Sequence, residues 1–161
     1  MNEENQFLNF QNVLAHGVDV VDIADFSRLL TAQAGDFLDR YFTTEELTTV
    51  GESGSRIERL SSRFAIKEAV LKALGTGWGD GLSFTDVEVV SQRSGAPSIL
   101  LHRRLAEVAD RLGIGIWLVS ASHTSTIAMA SVIALQTTQA RTSNPQVFIA
   151  DIGVVKKLMD E

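Results

Sequence analysis

Residues 63–84 read RFAIKEAVLKALGTGWGDGLSF. A helical run ends at Gly75 and a glycine-rich segment follows. At about 100° per residue, Ile57, Leu60, Phe64, Leu71 and Leu74 form one apolar stripe. Glu68 falls at the edge of that stripe, one turn from Phe64. Lys67 lies near its other edge, and Lys72 is one turn past Glu68. An unpaired charge beside a buried face is costly. One reading makes Glu68 and Lys72 an exposed pair worth about 0.3–0.5 kcal/mol. The other uses the downstream run Gly75-Thr76-Gly77-Trp78-Gly79-Asp80-Gly81, whose backbone can approach an anion closely. A carboxylate, two lysines and such a loop suit a phosphate held together with a divalent cation.

Upstream of this helix, Ser55 with Glu58 has the pattern of a capping box, and Thr43-Thr44-Glu45-Glu46 reads as a capped helix start ended at Gly51–Gly54. Ala24 to Phe42 carries apolar residues at helical spacing, read as two short helices broken near Gly35. Val18 to Ile23 is a β-branched run and reads as a buried strand. Residues 1–16 read as an N-terminal arm. Downstream, Phe84–Val90 and Ser98–Leu101 form a hairpin around Arg93–Pro97. Leu101–Leu112 reads as an amphipathic helix stopped by Gly113. Ile114–Ser122 and Ile127–Leu135 are two further strands. Residues 137–144 look like a linker, and 147–161 a tail with strand or helix character.

Two more features carry chemistry. In a strand, Asp19 shares its face with Val21 and Ile23, whereas Asp22 shares the other face with Val18 and Val20. An acid on a buried strand face needs a cation or donors. Either Asp19 sits at a frayed, solvated strand start, or it pairs with Glu68 around one Mg²⁺, an ion that takes few protein carboxylates and completes its shell with water and phosphate. Trp117–Thr124 reads as a strand running out into a Ser/His/Thr corner, where His123 is either a surface group or a phosphate donor. No Gly-x-Ser-x-Gly elbow supports a serine nucleophile there.

Bulk properties bound the rest. The 161 residues are 45% hydrophobic, enough for one domain with a core. With 14 Lys+Arg against 20 Asp+Glu, the formal charge is −6, which argues against nonspecific nucleic-acid binding. The chain has no cysteine, so disulfides and thiolate-ligated zinc are excluded. No apolar run reaches the roughly 18 residues of a membrane span, and residues 1–17 lack the basic and apolar regions of a secretory signal. A soluble, cytoplasmic protein with no membrane contact is the expectation.

Taken in order, G-V-D-V-V-D-I (17–23), R-F-A-I-K-E-A-V-L-K-A-L-G-T-G (63–77) with L-S-F-T-D-V-E-V (82–89), and V-S-A-S-H-T (119–124) resemble the motifs of the short holo-acyl-carrier-protein synthases, the single-domain 4′-phosphopantetheinyl transferases. The segment F-L-D-R-Y-F-T (37–43) and Glu46 resemble them too. The resemblance covers roughly residues 14–136. It implies an α+β fold, a small antiparallel sheet packed on a long central helix, in a homotrimer. The transferase domain would span 17–136, with 137–161 an extension outside the family pattern. The implied reaction moves phosphopantetheine from coenzyme A to a serine of an apo acyl carrier protein and releases adenosine 3′,5′-bisphosphate. Metal ligands match Asp19 and Glu68, which with Lys72 form the catalytic set. Coenzyme A contacts match Arg63, Lys67, Lys72, Gly75, Gly77, His123 and Thr124. In the implied trimer, Asp19 and His123 come from one side of a subunit boundary and the long helix from the other.

The chain departs from the family at three places. Leu60-Ser61-Ser62-Arg63 replaces L-A-G-R, and Gly95-Ala96-Pro97 replaces G-K-P. The helix that usually presents basic residues to the carrier reads Ala24-Asp25-Phe26-Ser27-Arg28, leaving Arg28, Arg40 and Arg56 as substitute docking cations. Two other classes remain open on sequence: a trimeric coenzyme A-binding scaffold without activity, and a Mg²⁺-dependent hydrolase of nucleotide diphosphates.

Overall fold

A computed structural model describes residues 13–76 and 82–136. The chain runs β1 (Val13–Asp22), α1 (Ile23–Tyr41), α2 (Thr44–Val50), α3 (Arg56–Ala73), a 3-10 turn at Phe84–Asp86, β2 (Val87–Ser91), β3 (Pro97–Leu101), α4 (Arg103–Leu112), β4 (Ile114–His123) and β5 (Ile127–Gln136). Two antiparallel sheets result, one with strand order β1-β5-β4 and one formed by the β2-β3 hairpin. Arrangement and class are those of an α+β fold.

The three-stranded sheet gives α3 a floor of small side chains. Ala128, Ala130, Val132 and Ala134 of β5 alternate inward and are fully buried, as are Ala65 and Ala69 on α3. Such residues let the helix backbone approach the sheet closely. The approach is tightest at Gly17, which pairs with Val132 on β5. A methyl group there would collide with the Ala69 carbonyl oxygen and lie 3.0 Å from the Ala73 nitrogen. Glycine is required at this strand position by the neighbouring helix, not by its own dihedrals. On the far side of α3, Phe26, Phe37, Tyr41, Phe64 and Phe84 interlock. Phe37 stacks on Tyr41 at 4.3 Å, and Phe64 lies nearly parallel to Phe84 at 5.5 Å.

α3 is therefore buried around most of its circumference, on more than the single stripe the periodicity suggested. Leu60, Ser61, Arg63, Ala65, Ile66, Lys67, Ala69 and Val70 are all buried. Lys67 and Glu46 have fully covered side chains, and their charges meet at 2.6 Å. The Lys67 ammonium also donates to the carbonyls of Tyr41 at 2.8 Å and Phe84 at 3.2 Å. Glu46 accepts from the backbone N–H of Thr43 at 2.8 Å and of Val89 at 3.0 Å. One ion pair thus ties the ends of α1 and α2, the Phe84 turn and the hairpin to α3. Burial lowers the Lys67 pKa from the ordinary lysine value, and the Glu46 charge opposes the shift.

Three local readings change. α1 is one helix of 19 residues, not two broken near Gly35. A helical glycine costs only about 1 kcal/mol, and Phe26 and Phe37 are anchored on either side of it. Ser55 makes no side-chain cap bond, so the Ser55–Glu58 box does not form; the box that does form joins Thr43 and Glu46. β1 begins at Val13, inside the stretch read as an arm. The extension 137–161 lies outside the described residues.

Two outcomes are expected. Lys67→Met should lower unfolding free energy in urea by about 3–5 kcal/mol, because Glu46 would keep a buried charge without its partner. Gly17→Ala should destabilise the chain despite alanine's usual advantage over glycine, since backbone must move to admit the methyl.

Candidate functional site

Strand parity delivers Asp19 to the covered face of β1. It pairs with Ala130 in the interior of the ladder, so its strand is not frayed there. Its carboxylate is only 12% exposed and accepts a 2.6 Å hydrogen bond from the Lys72 ammonium. Lys72 therefore turns to Asp19 across 53 residues of sequence. No Glu68–Lys72 bond forms on the helix surface. Asp22 leaves by the opposite face and caps α1, accepting from the Asp25 N–H at 2.9 Å.

Glu68 shares a cleft of about 350 Å³ with Asp19, Asp22, Asp25, Phe26 and Leu29. It also lines an adjoining cleft of about 250 Å³ with Lys72, Thr76, Ser83 and Phe84. The Glu68 carboxyl is half-buried. Its pKa is raised, first by loss of solvent and then by the Asp19 charge, with Lys72 opposing. Lys72, largely in solvent, has its pKa raised mainly by its bond to Asp19. Two carboxylates thus repel each other beside one exposed ammonium. A divalent cation bound there would relieve that repulsion, and two acids match the small protein ligand count that magnesium takes. Among the described residues no cluster of three or more His, Asp or Glu could hold a metal. The donor set therefore fits an ion that draws its remaining ligands from water and phosphate.

A second cleft, about 260 Å³, is lined by Arg59, Ser62, Arg63, Ser91, Pro97 and His123 among others. Arg63 is 8% exposed and donates to Ser91 Oγ at 3.0 Å, while its Nε is buried without a partner. Burial lowers the Arg63 pKa from the usual value, with Arg59 adding to the effect and Glu46 opposing it. His123 lies with Nδ1 3.3 Å from Ser62 Oγ. This cleft shares no lining residue with the two that contain Glu68. Helical geometry explains why. Lys72 lies about 180° around α3 from Arg63, and Glu68 about 180° from Arg59. The acids and the guanidinium groups face opposite ways.

Several expected site residues land elsewhere. Lys67 does not reach a surface: its charge is consumed by Glu46 and two carbonyls, so its reading as a coenzyme A contact is corrected. Asp19 meets the helix within one chain, which corrects the implied division that set it across a boundary from α3. Gly75 terminates α3 with φ of 65°, as its C-terminal role requires. Gly77 and the rest of its loop to Gly81 lie outside the described residues. The Thr124 hydroxyl accepts from the N–H groups of Thr126 and Ile127 at 3.2 and 3.1 Å, shaping the β4–β5 turn. Of the substitute docking cations, Arg28 is paired with Asp25, and Arg56 with Glu52 and the Gly51 carbonyl. Glu46 carries more of the architecture than sequence reading assigned it, and Arg59 joins the lining of the basic cleft unforeseen. Glu46 had a visible signal, the Thr43-x-x-Glu46 spacing; Arg59 had none.

The sequence profile of the 4′-phosphopantetheinyl transferase superfamily matches residues 15–128. The chain is 36% identical over 121 residues to a protein named holo-[acyl-carrier-protein] synthase from Solibacter usitatus, covering 75% of this chain and 97% of that one. Among solved structures it resembles holo-[acyl-carrier-protein] synthase from Neisseria meningitidis, with a TM-score of 0.71, 29% identity, and coverage of 77% and 99%. It also resembles the Helicobacter pylori holo-[acyl-carrier-protein] synthase solved in complex with coenzyme A, with a TM-score of 0.64, 32% identity, and coverage of 74% and 98%.

The raised Glu68 pKa has a signed consequence. A carboxyl that holds its proton more tightly when folded favours the fold below its unfolded pKa, and that contribution is lost as pH rises through the folded value. In metal-free buffer at neutral pH, Glu68→Gln should therefore melt at a higher temperature than the parent, and the difference should shrink on acidification. Asp19→Asn should shift the Glu68 titration, followed by carboxyl NMR, to lower pH.

Proposed function

This chain belongs to the 4′-phosphopantetheinyl transferase superfamily, among its holo-acyl-carrier-protein synthases, and we propose that it moves phosphopantetheine from coenzyme A to a carrier serine in a site completed by a second copy of itself. The observation that carries this reading is the pairing of Asp19 with Lys72 beside Glu68, set on the face of α3 opposite Arg63 and His123. A donor whose diphosphate sits at the acids cannot also reach the guanidinium of the same chain through the helix. A neighbouring copy can present its own Arg63 and His123. The exposed outer face of the sheet, where Val20 (56% exposed) is paired with Met129 (47%), supports self-association, and a homotrimer is the assembly we propose.

In the transfer, the carrier serine oxygen bonds to the β-phosphorus of coenzyme A as the bond to the adenosine-bearing phosphate breaks. The serine proton must go to a base, and Glu68, directly or through a water, is the base we propose. Lys72 offers a charged donor to the phosphate oxygens, directed by its bond to Asp19. Arg63 and His123 would hold the nucleotide end. A magnesium ion, when bound, would be held by Asp19 and Glu68 and would neutralise diphosphate charge. Among the described residues no helix is long and apolar enough to cross a membrane. With no cysteine in the chain, the reducing cytosol is the compartment we propose.

The test is a transfer assay with coenzyme A and an apo fatty-acid carrier protein, read by mass spectrometry as gain of one phosphopantetheine, with and without chelator. Transfer that survives complete chelation would remove the metal from the proposal. Coenzyme A binding without transfer would indicate a scaffold, and its consumption without a carrier a hydrolase. Asp19→Asn and Glu68→Gln should each reduce turnover by about 10²-fold or more. Co-expressing Glu68→Gln with Arg63→Ala should restore part of the activity each lacks alone; no rescue would place the whole site in one chain.

A further inference from the structure

Arg59 stands one helical turn before Arg63, in the same cleft. Two like charges at this spacing repel, and α3 holds both with their Nε groups buried and without a hydrogen-bond partner. No carboxylate lines the cleft to offset them. Glu46, whose charge reaches Arg63, is committed to Lys67. Among the described residues, the side chain of Arg59 bonds from Nη2 to the Ser53 hydroxyl, a neutral acceptor that leaves its charge uncompensated. Around the pair stand Ser62, Ser91 and His123, which are hydrogen-bonding groups sized for oxygens. Such a cleft is built for a compact, doubly charged anion, for which guanidinium forks are well suited.

Coenzyme A carries three phosphates. Two form the diphosphate at which the chemistry occurs, and these belong with Lys72 and the acids. The third is a monoester on the ribose, at the far end of the nucleotide. We infer that Arg59, acting with Arg63 and His123, is the residue that makes the donor site select for this ribose phosphate and so separates coenzyme A from its 3′-dephospho form. The inference rests on the donor-site reading above but concerns a residue to which that reading gives no role. Arg63 is tied to Ser91 and nearly closed off. Each arginine is held by one serine hydroxyl, but Arg59 is the more accessible of the two, so it is the one able to turn to an arriving phosphate.

Direct binding decides the matter without requiring turnover. Adenosine 3′,5′-bisphosphate and adenosine 5′-monophosphate are titrated calorimetrically into the full-length chain. The parent should prefer the bisphosphate. Arg59→Gln should lower that preference about tenfold, as expected for the loss of one charge-assisted hydrogen bond, with the 5′-monophosphate affinity little changed. Arg59→Lys, which keeps the charge and loses the fork, should fall between. Ser53→Ala, which removes only the tether, should keep the preference intact. In transfer assays the KM for coenzyme A should rise in Arg59→Gln while the KM for 3′-dephospho-coenzyme A does not. An unchanged preference in a folded Arg59→Gln, or a loss reproduced by Ser53→Ala, would make Arg59 a tether of the turn before α3 and overturn the inference. If the parent binds both nucleotides equally, this inference falls alone; if it binds neither, the donor-site reading falls with it.

Discussion

The buried pair of Lys67 and Glu46 is the constraint around which the other elements are set. Every proton of the Lys67 ammonium has an oxygen partner, and both Glu46 oxygens take backbone donors. A pair of this kind adds little net stability over an apolar substitute, but leaving either charge alone is severe. Its effect is to fix position. Glu46 brings β2 and the start of α2 to α3, and Lys67 fixes the Tyr41 and Phe84 carbonyls. Ser83 and Phe84 line the cleft with Lys72, while Val89 and Ser91 line the one with Arg63. The same two side chains therefore set the walls of both clefts.

The second organising fact is that the carboxylates and the guanidinium groups lie on opposite sides of α3. Its acid side is electrostatically unhappy, with Glu68 half-buried near Asp19. Its basic side is equally so, with two guanidinium groups sharing a cleft free of carboxylates. Neither arrangement is what folding alone would select, and local strain of charge at a cleft is a mark of function. The proposed donor, with a diphosphate at one end and a ribose phosphate at the other, would answer both. The fold keeps the two clefts on opposite sides of α3.

How much of this was legible in sequence depended on range. Asp19 could be placed on the inner face because parity in a strand needs only counting, and the structure puts it with Gly17 and Val21. The hairpin, α4 and the stop at Gly75 follow from turn chemistry. The order of motifs was enough to point to the family. Lys67 was misplaced because periodicity reports an apolar stripe and is blind to a lysine whose partner, Glu46, lies in another helix. The choice of Asp19 by Lys72 over Glu68 is likewise a tertiary fact, since nothing local favours a partner 53 positions away. Gly35 misled because glycine weakens a helix without breaking it when Phe26 and Phe37 are both anchored. Ser55 misled because a capping pattern is only a proposal for a bond, and the backbone at Ser55 does not take the extended conformation of a cap.

The Arg28–Asp25 pair on the solvent side of α1, at the lip of the acid cleft, carries one more implication. Along that helix the charged side chains are Asp25, Arg28, Asp36, Asp39 and Arg40, three acids to two bases. Such a surface exerts no long-range pull on an acidic protein, so an encounter on this side would proceed at the unsteered rates of ordinary protein association. Recognition would then rest on short-range fit, with the half-exposed Leu29 beside the cleft as its apolar foothold.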